Sequence, residues 1–326
     1  SFPTRRSSDL GCKLMFLLLK FTLLYAVVLM LVALGGMFSE RSGVINIALE
    51  GIMAIGGLAG VFVLALCGDK LPAPLLVLVS ILASAVAGMI YSLLLGFSAI
   101  TLKADQTIGG TALNMLATAI AIVIVKAFNN SAEAGNGAAS AKLTYDNAAF
   151  IYKIGPVTIN IFLIIGIILL ICSYVFLFKT KWGLRLRACG EHPQAADSVG
   201  INVYQWRYIG VMISGALGGI GGFAYIVPSV STWNFEVGVA GAGFLALAVM
   251  IFGQWKPFNI AGAAVFFAVF RSLANIADST VLSTLGLSKN IYSMMPFIAS
   301  MIILAFTSKN SRAPKAEGIP YDKGAR

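Results

Sequence analysis

The chain has 326 residues, 59% of them hydrophobic and only 11% charged, with a mean hydropathy of +0.90. A soluble domain carries about 25% charged residues, so this composition excludes an ordinary soluble protein and leaves no room for a sizeable soluble domain. The net charge of +10, from 23 Lys and Arg against 13 Asp and Glu, would suggest nucleic acid on a soluble protein. Here the basic residues gather at the ends of apolar runs, which is the positive-inside signature and not a nucleic-acid surface.

The first ten residues, SFPTRRSSDL, read as the conceptual translation of a sequencing adapter and are set apart from the fold. Apolar runs then fall at about 14–38, 48–67, 74–97, 107–127, 157–178, 209–227, 238–253, 259–274 and 291–307. About 20 apolar residues cross the hydrocarbon layer as a helix, and in lipid every backbone amide must be paired internally. The expectation is an all-α, polytopic transmembrane bundle of about nine or ten spans over residues 11–307, with a polar tail at 308–326. The Lys/Arg-rich segments around Lys103, at 179–208, at Lys256 and in the tail fall on one side if each intervening run crosses once, and that side should be the cytoplasm. Counting backward puts the chain start outside, whereas Lys13 and Lys20 favour inside. An extra broken or re-entrant piece over Phe38–Glu50 is one resolution.

Polar residues inside apolar runs are costly and mark candidate solute paths. Asn46 and Glu50 lie beside the second run; Glu50 has a structural hydrogen-bonding role or a place on a substrate path. Thr107, Thr111 and Asn114 are spaced four and three apart and share one helical face, which can line an aqueous path or bond to a neighbouring helix. Gly215, Gly218, Gly219, Gly221 and Gly222 have the spacing of close helix–helix contacts. The G-x-G-x-x-A match at 219–224 lacks a preceding strand and reads as packing.

No catalytic or metal site is expected. The phosphate-loop pattern G-x-x-x-x-G-K-S/T is absent, as are zincin and nucleophile-elbow motifs. Cys12, Cys67, Cys172 and Cys189 form no C-x-x-C pair, and His192 is the single histidine. The cysteines read as buried small hydrophobes, except Cys189, which lies on a polar island.

That island, Lys179 to Tyr208, is the longest basic interruption between apolar runs. Within it Gly190–Ile201 reads as one short helix, with Pro193 in the first turn and Gly200 ending it in a left-handed conformation.

Four stretches carry a resemblance: FSERSGVINIALEGIM at 38–53, LRACGEHPQAADSVGINV at 186–203, AGAGFLALAVMIFGQWKP at 240–257, and the ending APKAEGIPYDK at 313–323. Together they resemble permease subunits of bacterial ABC importers in the branched-chain amino acid, ribose and galactose group. More narrowly, they look like permeases of nucleoside systems that work with a basic-membrane-protein lipoprotein. The resemblance implies a transport subunit in the bacterial cytoplasmic membrane that is not an enzyme. Its implied partners are an ABC ATPase subunit, a second homologous permease and an extracytoplasmic substrate-binding lipoprotein. This chain would bind no cofactor, with ATP on the partner ATPase. The island would be the cytoplasmic coupling loop, in which Gly190, Glu191, Ala195, Ala196, Gly200 and Ile201 match the family's E-x-x-x-A-A-x-x-x-G-I pattern; Cys189 and His192 depart from the type. The solute would be a nucleoside or a simple sugar such as ribose. An ion-coupled secondary transporter is the alternative from composition alone.

Overall fold

The computed structural model describes residues 4–68, 70–132, 140–154, 157–276, 289–307 and 313–324. The apolar runs become helices α1 (Thr4–Arg41), α2 (Leu49–Cys67), α3 (Ala73–Gly96), α4 (Gln106–Ala132), α5 (Ile161–Lys179), α8 (Val203–Ile226), α9 (Ala242–Phe252), α10 (Pro257–Ile276) and α11 (Lys289–Thr307). Helices α6 (Lys181–Glu191) and α7 (Pro193–Ser198) form the island. The backbone of α1 runs without a break through Thr4–Leu10. Among the described residues, seven helices are long and apolar enough to cross a membrane, and α9 is a shorter apolar helix of 11 residues. The expected count of nine or ten spans is thus not confirmed.

Local chemistry starts these helices. The side chains of Asn160, Thr180 and Asn202 cap α5, α6 and α8 by accepting the amides of Leu163, Gly183 and Gln205. Pro72 and Pro74 open α3. Strand pairing is confined to two short antiparallel ladders. Strand β1 (Lys142–Thr144) pairs with β4 (Thr232–Asn234), and β2 (Ile151–Ile154) with β3 (Val157–Asn160). The β1–β4 ladder joins the loops after α4 and α8 at one end of the bundle, where Lys126 meets Glu236 at 3.2 Å.

Helix α8 is the axis of the bundle. Its inward glycines let α1, α2 and α3 approach to backbone contact. A Cβ on Gly222 would enter the Met53 carbonyl, and one on Gly56 would meet the Cα of Gly219. Ser84 Oγ donates to the Gly219 carbonyl at 2.6 Å across the same seam. The G-x-G-x-x-A match therefore lies inside a buried helix, as packing.

Opposite the β1–β4 end lies the island face. There Arg41, at the end of α1, meets Glu191 at 3.7 Å, Lys103 meets Asp322 at 3.1 Å, and Thr101 bonds Tyr208. The island, the Lys103 turn, the turn before α10 and the tail thus share one face, as the basic-residue pattern implies. Lys20 sits toward the other face, beside Asn160 and Pro228. The start of the chain and the island face thus lie at opposite ends of α1, and no extra crossing occurs at Phe38–Glu50. That segment is the end of α1, a non-helical turn over 42–48, and the start of α2.

Candidate functional site

The island is two helices and not one. The chain kinks at His192, where α6 ends and Pro193 starts α7. Gly200 has φ +83°, its amide donates to Asp197 and the Ile201 amide donates to Ala196 at 3.0 Å. That is a Schellman cap, and it makes α7 a rigid single-turn peg. Gly190 fits because its backbone lies against the Arg41 carbonyl, leaving no room for a Cβ. Cys189 is fully buried, and burial pushes its thiol up to about 11. The expectation is reversed: among the described cysteines Cys189 is the buried one, because α6 turns it inward, whereas Cys67 is half-buried and Cys172 exposed. Of the alanine pair, Ala196 is 3% exposed and anchors α7 to the protein, whereas Ala195 faces out with Gln194 and Ser198. Val199, 74% exposed at the tip, is an open apolar side chain that the motif reading passed over.

The second cluster is the α1–α2 junction. Ser42, Val44, Asn46 and Ala48 are fully buried there in non-helical backbone, so each polar group needs a partner. Gln106 Oε1 accepts the Ile45 amide at 2.7 Å. Asn114 accepts the Gly51 amide at 2.8 Å and donates to the Ile47 carbonyl at 2.9 Å, bracketing the start of α2. Asn46 Nδ2 donates to Ser214 Oγ at 2.7 Å. Two atoms keep unused capacity: the acceptor Asn46 Oδ1 and the donor Gln106 Nε2 are buried without a partner.

Glu50 reaches across to α9. Its two carboxyl oxygens accept the amides of Gly241 and Gly243 at 2.8 and 2.7 Å, which suits a carboxylate at the positive end of a helix. The glycines permit this: Gly241 has φ +76°, and a Cβ on Gly243 would meet the Glu50 backbone amide. At the other end of α9, Trp255 Nε1 donates to Glu40, and Arg41 donates to the Trp255 carbonyl at 3.1 Å. The stretch 38–51 thus grips α9 at both ends, while Gly190 of the island rests on Arg41. Three of the segments that carry the resemblance are one another's partners.

A family model, branched-chain amino acid transport system / permease component, matches residues 18–305. The chain belongs to this permease family. The Guanosine ABC transporter permease protein NupQ of Bacillus subtilis (strain 168) is 42% identical over 94% of this chain and 96% of its own length. The Nucleoside ABC transporter permease protein NupC of Lactococcus lactis subsp. cremoris (strain MG1363) is 36% identical over 92% and 95%. The Glucose ABC transporter permease protein TsgB13 of Haloferax volcanii (strain DS2) is 23% identical over 92% and 79%. No solved structure matches.

Within this permease the sequence-derived candidates separate. Asn46, Glu50 and Asn114 come together around the start of α2, as hydrogen-bonding partners of broken backbone. Thr107 and Thr111 do not join them. They lie on the open face of α4 beside Ile108 and Met115, and Thr111 Oγ1 bonds back to the Thr107 carbonyl. The three α4 residues lie within about 60° of arc, and the boundary between buried and open surface falls inside that arc. Gln106 and Ser214 are partners that spacing alone did not indicate.

Proposed function

We propose that the permease is the membrane-spanning subunit of an ABC importer that moves nucleosides into a bacterial cell. The observation that carries this is the island: a self-capped helix, α7, carried on α6, whose Gly190 rests on the end of α1, with an exposed tip of Ala195, Ser198 and Val199. Such a peg suits a groove on a partner. The sequence offers no phosphate loop, so ATP is hydrolysed on a separate ATPase subunit. Movement of α7 then reaches α1 through Gly190 and Arg41, and α9 through Glu40, Arg41 and Trp255. Nucleosides are the favoured solute because the relatives that match over nine-tenths of the chain at 36–42% identity are named for guanosine and nucleosides.

On this reading the island face and tail are cytoplasmic, a second homologous permease completes the pore, and a substrate-binding lipoprotein delivers solute at the β1–β4 end. The solute path runs along the open face of α4 with Thr107 and Thr111, bordered by the junction that Asn46, Glu50 and Asn114 hold. Affinity capture from detergent-solubilised membranes tests the assignment. The intact chain should co-purify with an ABC ATPase, and Val199→Asp should reduce that capture at least tenfold without loss of membrane-inserted protein. Equal capture by Val199→Asp would remove α7 from the contact; no ATPase with the intact chain would contradict the importer reading.

A further inference from the structure

The tail is not a loose appendage. The Ala316 amide donates to the Gly190 carbonyl at 2.9 Å and the Gly318 amide to the Gly43 carbonyl at 3.2 Å, so the strap crosses both the end of α6 and the turn after α1. Arg207, at the base of α8, is 1% exposed, and its Nη1 donates to the Ile319 carbonyl at 2.9 Å while Nε and Nη2 have no partner. A buried guanidinium that spends its hydrogen bond on the tail backbone makes the tail part of the fold. Tyr321 is 5% exposed and packs edge-on against Tyr204 with ring centroids 5.3 Å apart.

Between this strap and α7 lies a cleft of about 690 Å³, with Gln194, Asp197 and Ser198 on one wall and Tyr321, Asp322 and Lys323 on the other. The Lys323 ammonium lies 3.9 Å from the Asp197 carboxylate across it. Both walls carry charged or hydroxyl groups, which suits a protein partner and not a lipid surface. The α7 wall is continuous with the exposed tip assigned above to the ATPase. We propose that residues 313–324 form the second wall of the ATPase-docking cleft, so that the ATPase seats against the tail as well as against α7. Exposed ion pairs such as Lys323–Asp197 hold little by themselves and can open when a partner enters. The strap also ties α6, which carries α7, to the turn after α1 and to the base of α8 through Gly190, Gly43 and Arg207.

This inference rests on the ATPase reading, and site-specific cross-linking separates the two. A benzophenone residue is placed at Lys323, whose side chain is 73% exposed, in the complete transporter in bacterial membranes. Matched probes stand at Gln194 on α7 and at Val230 on the opposite end. Light-induced adducts with the ATPase are expected from Lys323 and Gln194 and not from Val230. ATPase adducts from Gln194 with none from Lys323, or adducts from Lys323 with the second permease in place of the ATPase, would overturn the tail's role while leaving α7 in place. Absence of ATPase adducts at both positions would instead overturn the ATPase reading, and this inference with it.

Discussion

Helix α8 and the α1–α2 junction touch at Asn46 and Ser214, yet they exclude solvent by opposite means. The α8 seam has almost no side chains to pair. Gly215, Gly218, Gly219 and Gly222 bring backbones together, and the seam relies on having no atom added to it. The junction is non-helical, so its stability lies in specific hydrogen bonds from Gln106, Asn114, Ser214 and Glu50. Steric close packing tolerates loss of polarity but not growth; a hydrogen-bonded break tolerates little loss of polarity.

The largest expected effect is at the seam. Gly222→Leu should abolish monodisperse permease on size-exclusion chromatography in detergent, because the new side chain collides with the Met53 backbone. Gly262→Ala, where a Cβ meets nothing within 4 Å, should be indistinguishable from the parent. At the junction, Glu50→Ala strands two amides at the start of α9 and should cost about 3 kcal/mol or more, read as a lowered melting midpoint together with lost solute uptake. Glu50→Gln keeps one acceptor and should fall between the two. A Glu50→Ala variant that melts with the parent would show that the α9 cap contributes nothing.

Asn114→Ala removes one donor and one acceptor from the start of α2 and should cost about 2 kcal/mol. Asn114→Asp retains only the bond from Gly51 and should recover part of that loss. The smallest effect concerns the strap. Glu317 faces Glu40 and Arg41, and burial holds its carboxyl above the ordinary carboxylate range. A raised folded value means that docking is favoured by protonation, is fullest below the ordinary value, and weakens as pH rises through the raised one. Protease sensitivity of the tail should therefore increase with pH across that window, and Glu317→Gln should flatten the dependence.

Much of this was legible in sequence because it is local. Hydrophobic runs located the long helices, though α1 starts at Thr4 and α8 at Val203, well ahead of the runs at 14 and 209, and Pro193 and Gly200 marked the ends of α7. The spacing of the α8 glycines identified the seam. What escaped is long-range: Glu50 caps a helix start 191 residues away in sequence, and nothing near Glu50 signals that pairing. Spacing also gives a helix face without saying which side faces the protein, so nothing in the Ala-Ala pair indicated that Ala196 is buried and Ala195 exposed. The second island helix, α6, was hidden because its basic sequence forms no apolar run, and locally only the capping threonine, Thr180, marks its start.

The most direct measurement is uptake of labelled guanosine by cells carrying the complete transporter, with and without this chain and with and without ATP depletion. Accumulation that needs both the chain and ATP, and that falls to background in Val199→Asp, is the expected result. Uptake that survives ATP depletion and collapses with the ion gradient would contradict the assignment.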